Sequence, residues 1–402
     1  MTKLLWTDGL SRAQYRLFGD AIVFDSTYKT NKYDFPLVII SGVDNNYKTC
    51  VLAAALIHTE TRESYIWVLS KFLEVMENRA PLSVVIDQDG AMRSAIKHVF
   101  PEAVHRLCSW HLVRNCKERV RPAAFSNDFA RILKENISVD EFEHKWHRII
   151  REHKVENNPW VMETYSKKEM WSEAYLRSHF MGNMRSSQRA ESMNSRFKCH
   201  GKKGFNFTEL LKRFFEDLHN LRLEAYHSQC NSEMAVSPAK GALRMFVDNA
   251  ALVYSKNIRQ FVEKEIRGEQ DLVSINSSIQ KIGESNFSFI TLGDLEEKRC
   301  SVKVDVEQNK YDCECKMLES NGLPCRHLFS TFKMLRKTSI PSCCIRERWT
   351  TAIGRQLCIF YPNMFSARDP QRQKFGQIIM DSLVRSLDAS HVETETAKGL
   401  KR

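Results

Sequence analysis

"PLSVVIDQDG", residues 81–90, is a short apolar run bounded by a proline and a glycine that stops at an acid, Asp87. That pattern reads as a buried strand. Its neighbours decide the fold. Upstream, "DAIVFD" (20–25), "FPLVIISGV" (35–43) and "TCVLAAALI" (49–57) read as three more strands, the last two separated by the turn-forming "DNNYK" (44–48). Between them and 81–90 lies "TRESYIWVLSKFLEVMENR" (61–79), which places Tyr65, Leu69, Phe72 and Met76 on one helical stripe. Downstream, "AMRSAIKHVF" (91–100) reads as a short helix closed by Pro101, with a fifth strand expected just before "CSWH".

Three strands in series, then helix, strand and helix, describe an antiparallel meander followed by a parallel crossover. The expected fold class is therefore α/β, with a ribonuclease-H-like mixed sheet. At 402 residues, one core is too few. Residues 1–112 are read as the first part of the sheet core. Residues 113–180, with "EFEHKWHRIIREH" and "WVMETYSKKEMWSEAYL", are read as an all-helical insertion. Residues 181–230 return to the core as a helix, bent around "HGKKGFN", and 231–285 form a helical connector. The alternating stretches "NFSFITLG" and "KRCSVKVDVEQNKYDCEC" predict a hairpin that opens a small zinc module over 286–340, followed by a tail at 341–402.

Sixty Lys and Arg against 49 Asp and Glu give a net charge of +11, which points to a polyanionic partner, most simply DNA. No apolar run approaches the ~18 residues of a membrane helix. The first residues lack the apolar stretch of a signal peptide, so the twelve cysteines are expected to be reduced.

"CECKMLESNGLPCRHLF" (313–329) sets Cys313, Cys315, Cys325 and His327 in a CxC…CxH array. Zinc takes four tetrahedral thiolate or imidazole ligands. Two Cys one residue apart can share an ion at a turn, and Cys325 and His327 can reach it from the first turn of the helix that follows Pro324. The ion would replace a core that a module of this size cannot build. Cys343 and Cys344 are substitute ligands by position.

Asp25 and Asp87 each end a predicted strand. If those strands are adjacent, both carboxylates project at one sheet edge, where they suit a Mg²⁺ or Mn²⁺ pair that clamps a phosphodiester. A third acid must come from a helix, and Glu191 in "SSQRAESMNSRFK" is the candidate. Between Arg185 and Arg213 the local net charge is +6. Asp89 competes with Asp87, but the apolar run stops immediately before Asp87. Cys108 and His111 in "HRLCSWHLVRN" form a CxxH pair that either lines this edge or binds a second metal with Cys116.

Taken in order, "FDSTYKTN", "VIDQDGAMRSAIKHVFPEAVHRLCSWHLVRN", "QRAESMNSRFK" and the CxC…CxH array resemble Mutator-type (MULE) transposases, and more narrowly the transposase-derived plant far-red-impaired-response proteins with their SWIM zinc finger. The resemblance implies a D-D-E triad carried onto Asp25, Asp87 and Glu191, a C/H motif at Cys108 and His111, and zinc on Cys313, Cys315, Cys325 and His327. It implies a nuclear regulator of transcription in light-controlled development, with an active transposase as the alternative; host genes of this origin often keep the acids as a vestige. Family members usually carry an N-terminal DNA-recognition domain ahead of the core, and this chain begins almost at the core. The expectation is either a truncated product or a member that works through longer relatives as hetero-oligomer partners.

Overall fold

The computed structural model describes residues 3–27, 31, 33–187, 189, 206–234, 243–274, 280–281, 286–293 and 296–360. The apolar runs of the sequence become strands β2 (Ala21–Thr27), β3 (Leu37–Val43), β4 (Thr49–Ile57), β5 (Ser83–Ile86) and β6 (Val104–Leu107). An additional strand, β1 (Lys3–Trp6), adds antiparallel to β4 at the sheet edge. Four residues carry too little period-two signal for it to be read in advance. Among the described residues the sheet has six strands in the order β1-β4-β3-β2-β5-β6, with β2, β3 and β4 antiparallel and β5 and β6 parallel to β2.

Helices α1 (Gly9–Phe18), α2 (Arg62–Val75) and α3 (Gly90–Val99) start at Asp8, Thr61 and Asp89, whose side chains each accept a backbone N–H of the first turn. Helix α2 ends at Val75 with Met76, the last residue of the stripe, as its C-cap, short of the 61–79 stretch read as helical, because Glu77 and Asn78 adopt positive φ. Alternation along the strands separates two faces. Ile22, Phe24, Val84 and Ile86 point into the main core with α1, α2 and α3.

The same core continues into five further helices, α4 (Ser109–Arg119), α5 (Ala123–Ile132), α6 (Val139–His153), α7 (Pro159–Ser166) and α8 (Glu173–Leu176). Their aromatic residues explain this. Trp146 stacks on Tyr165 with the ring planes 10° apart, and the Trp171 indole donates to the Thr164 carbonyl at 2.8 Å. Arg106 of β6 is fully buried and pairs with Glu173 at 2.8 Å, tying these helices to the sheet.

The opposite face carries two clusters. Helix α9 (Phe207–Met234) covers Leu37, Ile39, Val51 and Leu56 with Phe207, Leu211 and Phe214. The other cluster joins Ala21, Val23, Val43 and Val85 to helices α10 (Arg244–Val253) and α11 (Lys256–Gly268) and to the C-terminal module. That module contains β7 (Leu272–Ser274), β8 (Gln280–Lys281), β9 (Asn286–Gly293), β10 (Glu296–Asp305) and β11 (Lys310–Cys313), all antiparallel, then α12 (Met317–Asn321) and α13 (Arg326–Met334). Helix α14 (Thr351–Phe360) returns Ile353 and Leu357 to the main core. Gly322 caps α12 at φ +69, where a Cβ would lie 2.6 Å from Arg346 Cδ, so no other residue fits without displacement. No helix among the described residues is long and apolar enough to cross a membrane.

Candidate functional site

Backbone register assembles the metal cluster. Strand β11 pairs Cys313 with Val302 of β10, and the chain then turns sharply, with the Lys316 N–H donating to the Cys313 carbonyl and Lys316 at φ +53. This turn brings Cys315 back beside Cys313, their sulfurs 3.4 Å apart. Cys325 is the N-cap of α13 and His327 lies in its first turn. Cys325 Sγ is 3.6 Å from Cys313 Sγ, and His327 Nδ1 is 3.7 Å from it. All four ligand atoms lie within 4.8 Å of one another. A tetrahedral ion with Zn–S and Zn–N bonds of about 2.3 and 2.0 Å needs donors about 3.5–3.8 Å apart, so this donor set fits zinc. Contacts from Cys300, Cys313 and Cys325 push the Cys315 thiol down towards the thiolate form. Among the described residues this is the one such grouping of three or more His, Cys, Asp or Glu. Cys116 instead packs in the main core, where burial pushes its thiol up to about 12, and Cys344 is buried in the cluster with Val23 and Val85.

The acidic edge follows from the parallel pairing of β2 with β5. Val23 pairs with Val85, so Asp25 and Asp87 stand two residues further on at equivalent positions, beyond the same sheet face. Asp25 is 4% exposed. Burial pushes the Asp87 carboxyl up, helped by the nearby charges of Asp89 and Glu60. Asp89 is committed elsewhere: its carboxylate caps α3 by accepting from Met92 at 2.7 Å, while its own N–H donates to Asp87 at 2.8 Å. Asp89 is thus engaged as the N-cap of α3, whereas Asp87 stands at the sheet edge.

The sequence reading missed Glu60. It follows β4, whose C-terminal end lies at the same edge because Thr27, Leu37 and Leu56 are successive partners across the sheet. Its carboxylate accepts from Ser26, the neighbour of Asp25. The meander itself was the signal, since two antiparallel steps return β4 to the end where β2 finishes.

Cys108 and His111 flank this edge at the start of α4. The Ser187 N–H donates to Cys108 Sγ at 3.3 Å and the Ser187 hydroxyl lies 3.5 Å from His111 Nδ1. Burial raises the Cys108 thiol, but hydrogen bonds from His111 and Ser187 outweigh it and hold the thiol below its ordinary value. Trp110, between them, is 46% exposed, with the Arg114 guanidinium 4.8 Å from its ring centroid. Arg189 lies over Tyr47 at 4.1 Å and, with Arg185, lines a cleft of about 470 Å³. Glu191, Arg196 and Lys198 lie outside the described residues.

An acid-bearing mixed sheet followed by a Cys/His cluster defines the class of chain. Residues 21–115 match the MULE transposase domain and 302–332 match the SWIM zinc finger. The chain is a MULE-derived protein homologous to the FAR1-related proteins of Arabidopsis thaliana. It is 27% identical to FAR1-RELATED SEQUENCE 5 over 86% of its own length and 44% of that protein's. FAR1-RELATED SEQUENCE 7 gives 27% over 86% and 45%, and FAR-RED IMPAIRED RESPONSE 1 gives 27% over 87% and 42%. The chain thus spans less than half the length of these relatives.

Proposed function

We propose that this chain is a transposase-derived nuclear regulator of transcription in light-controlled plant development. Its sheet is ribonuclease-H-like: the order β4-β3-β2-β5-β6, antiparallel through the meander and parallel beyond it, supports that reading. Zinc sits on Cys313, Cys315, Cys325 and His327 and holds the SWIM finger. Asp25, Asp87 and Glu191 are the inherited triad, and Mg²⁺ or Mn²⁺ is the ion such acids take. The partner is DNA, engaged through the basic surface, or longer relatives that supply a recognition domain.

One observation carries this reading: the finger and the acid-bearing sheet share a buried cluster, with Cys313 and Cys325 packed in the same group as Val23 and Val85. A finger built into the sheet is a part of one platform for partners, as expected of a protein kept for binding. The equivalent positions of Asp25 and Asp87 favour the second reading, an active transposase that hydrolyses a phosphodiester with two metals and transfers the freed strand. Incubation with labelled duplex DNA and Mn²⁺ separates the two. The regulator binds in a salt-dependent manner and leaves the DNA intact; robust nicking that disappears in Asp87→Ala makes the protein a transposase.

A further inference from the structure

We infer that Cys300 is a fifth donor of the zinc centre, able to take the place of His327 and hold the ion with four thiolates. This rests on the zinc reading given above and extends it to a residue outside the CxC…CxH array.

Cys300 lies thirteen positions before Cys313 on a different strand, so spacing along the chain does not reveal it. The hairpin register does. Val302 pairs with Cys313 across β10 and β11, and Cys300, two positions earlier, points to the same face as Val302. Beyond Cys313 the chain stays against β10: the Glu314 N–H donates to the Ser301 carbonyl at 3.0 Å, and the Ser301 N–H donates back to the Glu314 carboxylate at 2.8 Å. Residues 300–302 therefore form a wall of the cluster. Cys300 Sγ stands 3.6 Å from Cys313 Sγ, the same separation that Cys325 keeps from Cys313. Its second neighbour among the ligands is Cys315.

A structural zinc ion takes four ligands, so five donors compete for four places. Cys313 and Cys325 are 2% and 1% exposed and packed in the cluster, and Cys315 shares its turn with Cys313. His327 is the neutral donor and is only half-buried, so it exchanges at least cost to the surrounding packing. In the exchange the Zn–N bond breaks, a Zn–S bond to Cys300 forms, and the Cys300 thiol proton passes to water. Four-thiolate and three-thiolate-plus-histidine centres are both ordinary structural zinc sites.

The test is made on the full chain, with zinc content and the Co²⁺ spectrum measured for the wild type, Cys300→Ser, His327→Ala and the double variant. Wild type and Cys300→Ser should each hold about one zinc. His327→Ala should also hold about one, with thiolate-to-cobalt absorbance raised by about a third as three sulfurs become four. The double variant should bind at least tenfold more weakly. Alkylation with iodoacetamide gives a second readout: Cys300 should react in the zinc-loaded wild type and become protected in His327→Ala. Equal metal loss in His327→Ala and the double variant would overturn the inference, as would retention in His327→Ala with Cys300 still reactive. A wild-type chain that takes up no zinc would instead overturn the zinc reading on which the inference stands.

Discussion

Arg348 pairs with Asp20 across 328 positions of sequence and donates through its other terminal nitrogen to the Val43 carbonyl at 2.6 Å. Arg346 also donates to Asp20, at 3.0 Å. Asp20 immediately precedes β2, the strand that ends in the Asp25 edge, so the segment after the finger is fastened to the start of the strand bearing the first acid.

The two members of this pair should not be equivalent. The Arg348 side chain is 3% exposed and that of Asp20 is 24% exposed. Removing Asp20 strands a buried cation, at a cost of about 3–5 kcal/mol, whereas removing Arg348 leaves an acid still paired with Arg346, at about 1–3 kcal/mol. Urea unfolding should therefore show Asp20→Ala to be more destabilising than Arg348→Met, with the double variant recovering part of the loss.

Asp44, in the β3–β4 turn, gives a pH-dependent prediction. Burial pushes its carboxyl up to about 6, although Oδ1 accepts N–H donors from Asn46 and Lys48. An acid raised in the folded state costs nothing while both states are protonated. The cost grows as pH rises from about 4 to about 6 and is constant above that. Two units correspond to roughly 3 kcal/mol. Asp44→Asn keeps the accepting oxygen, so it should stabilise the chain by about that order at pH 8. The gain should shrink as pH falls from 6 towards 4, as read from denaturant midpoints.

Asp87 is also raised by burial, so in the metal-free chain its ionised form costs stability at neutral pH. Asp87→Asn, which still accepts from the Asp89 N–H, should raise Tm at pH 8. Added Mn²⁺ should raise the wild-type Tm and leave that of the variant unchanged. Equal Mn²⁺ responses in both would remove Asp87 from the metal site.

Cys325→Ser should weaken zinc binding, because a hydroxyl replaces a fully buried thiolate and the ion is left to Cys313, Cys315 and His327 with Cys300 as the fourth donor. Because Cys325 shares a cluster with Val23 and Val85, hydrogen exchange should rise in β2 and β5 as well as in β10 and α13. Faster exchange confined to the finger would show that the two parts are not coupled.

Trp110 is exposed beside His111 and offers a flat surface with a cation at its face. Trp110→Ala should weaken binding of single-stranded DNA by about 1–3 kcal/mol while leaving Tm unchanged, as measured by fluorescence anisotropy and thermal melts.

The sequence by itself determined the local pieces. The apolar runs within 20–25, 35–43 and 49–57 became β2, β3 and β4, and the CxC…CxH spacing gathered four donors, because a strand or a tight turn places residues a few positions apart with little freedom. Only the tertiary structure decided what those pieces meet. The arrival of Glu60 beside Asp87, the placing of Cys300 against Cys313, and the fastening of Arg348 to Asp20 depend on pairings 13 to 328 positions apart. Such pairings are set by strand register and by burial of the whole apolar surface, and neither is encoded within any window short enough to show a period.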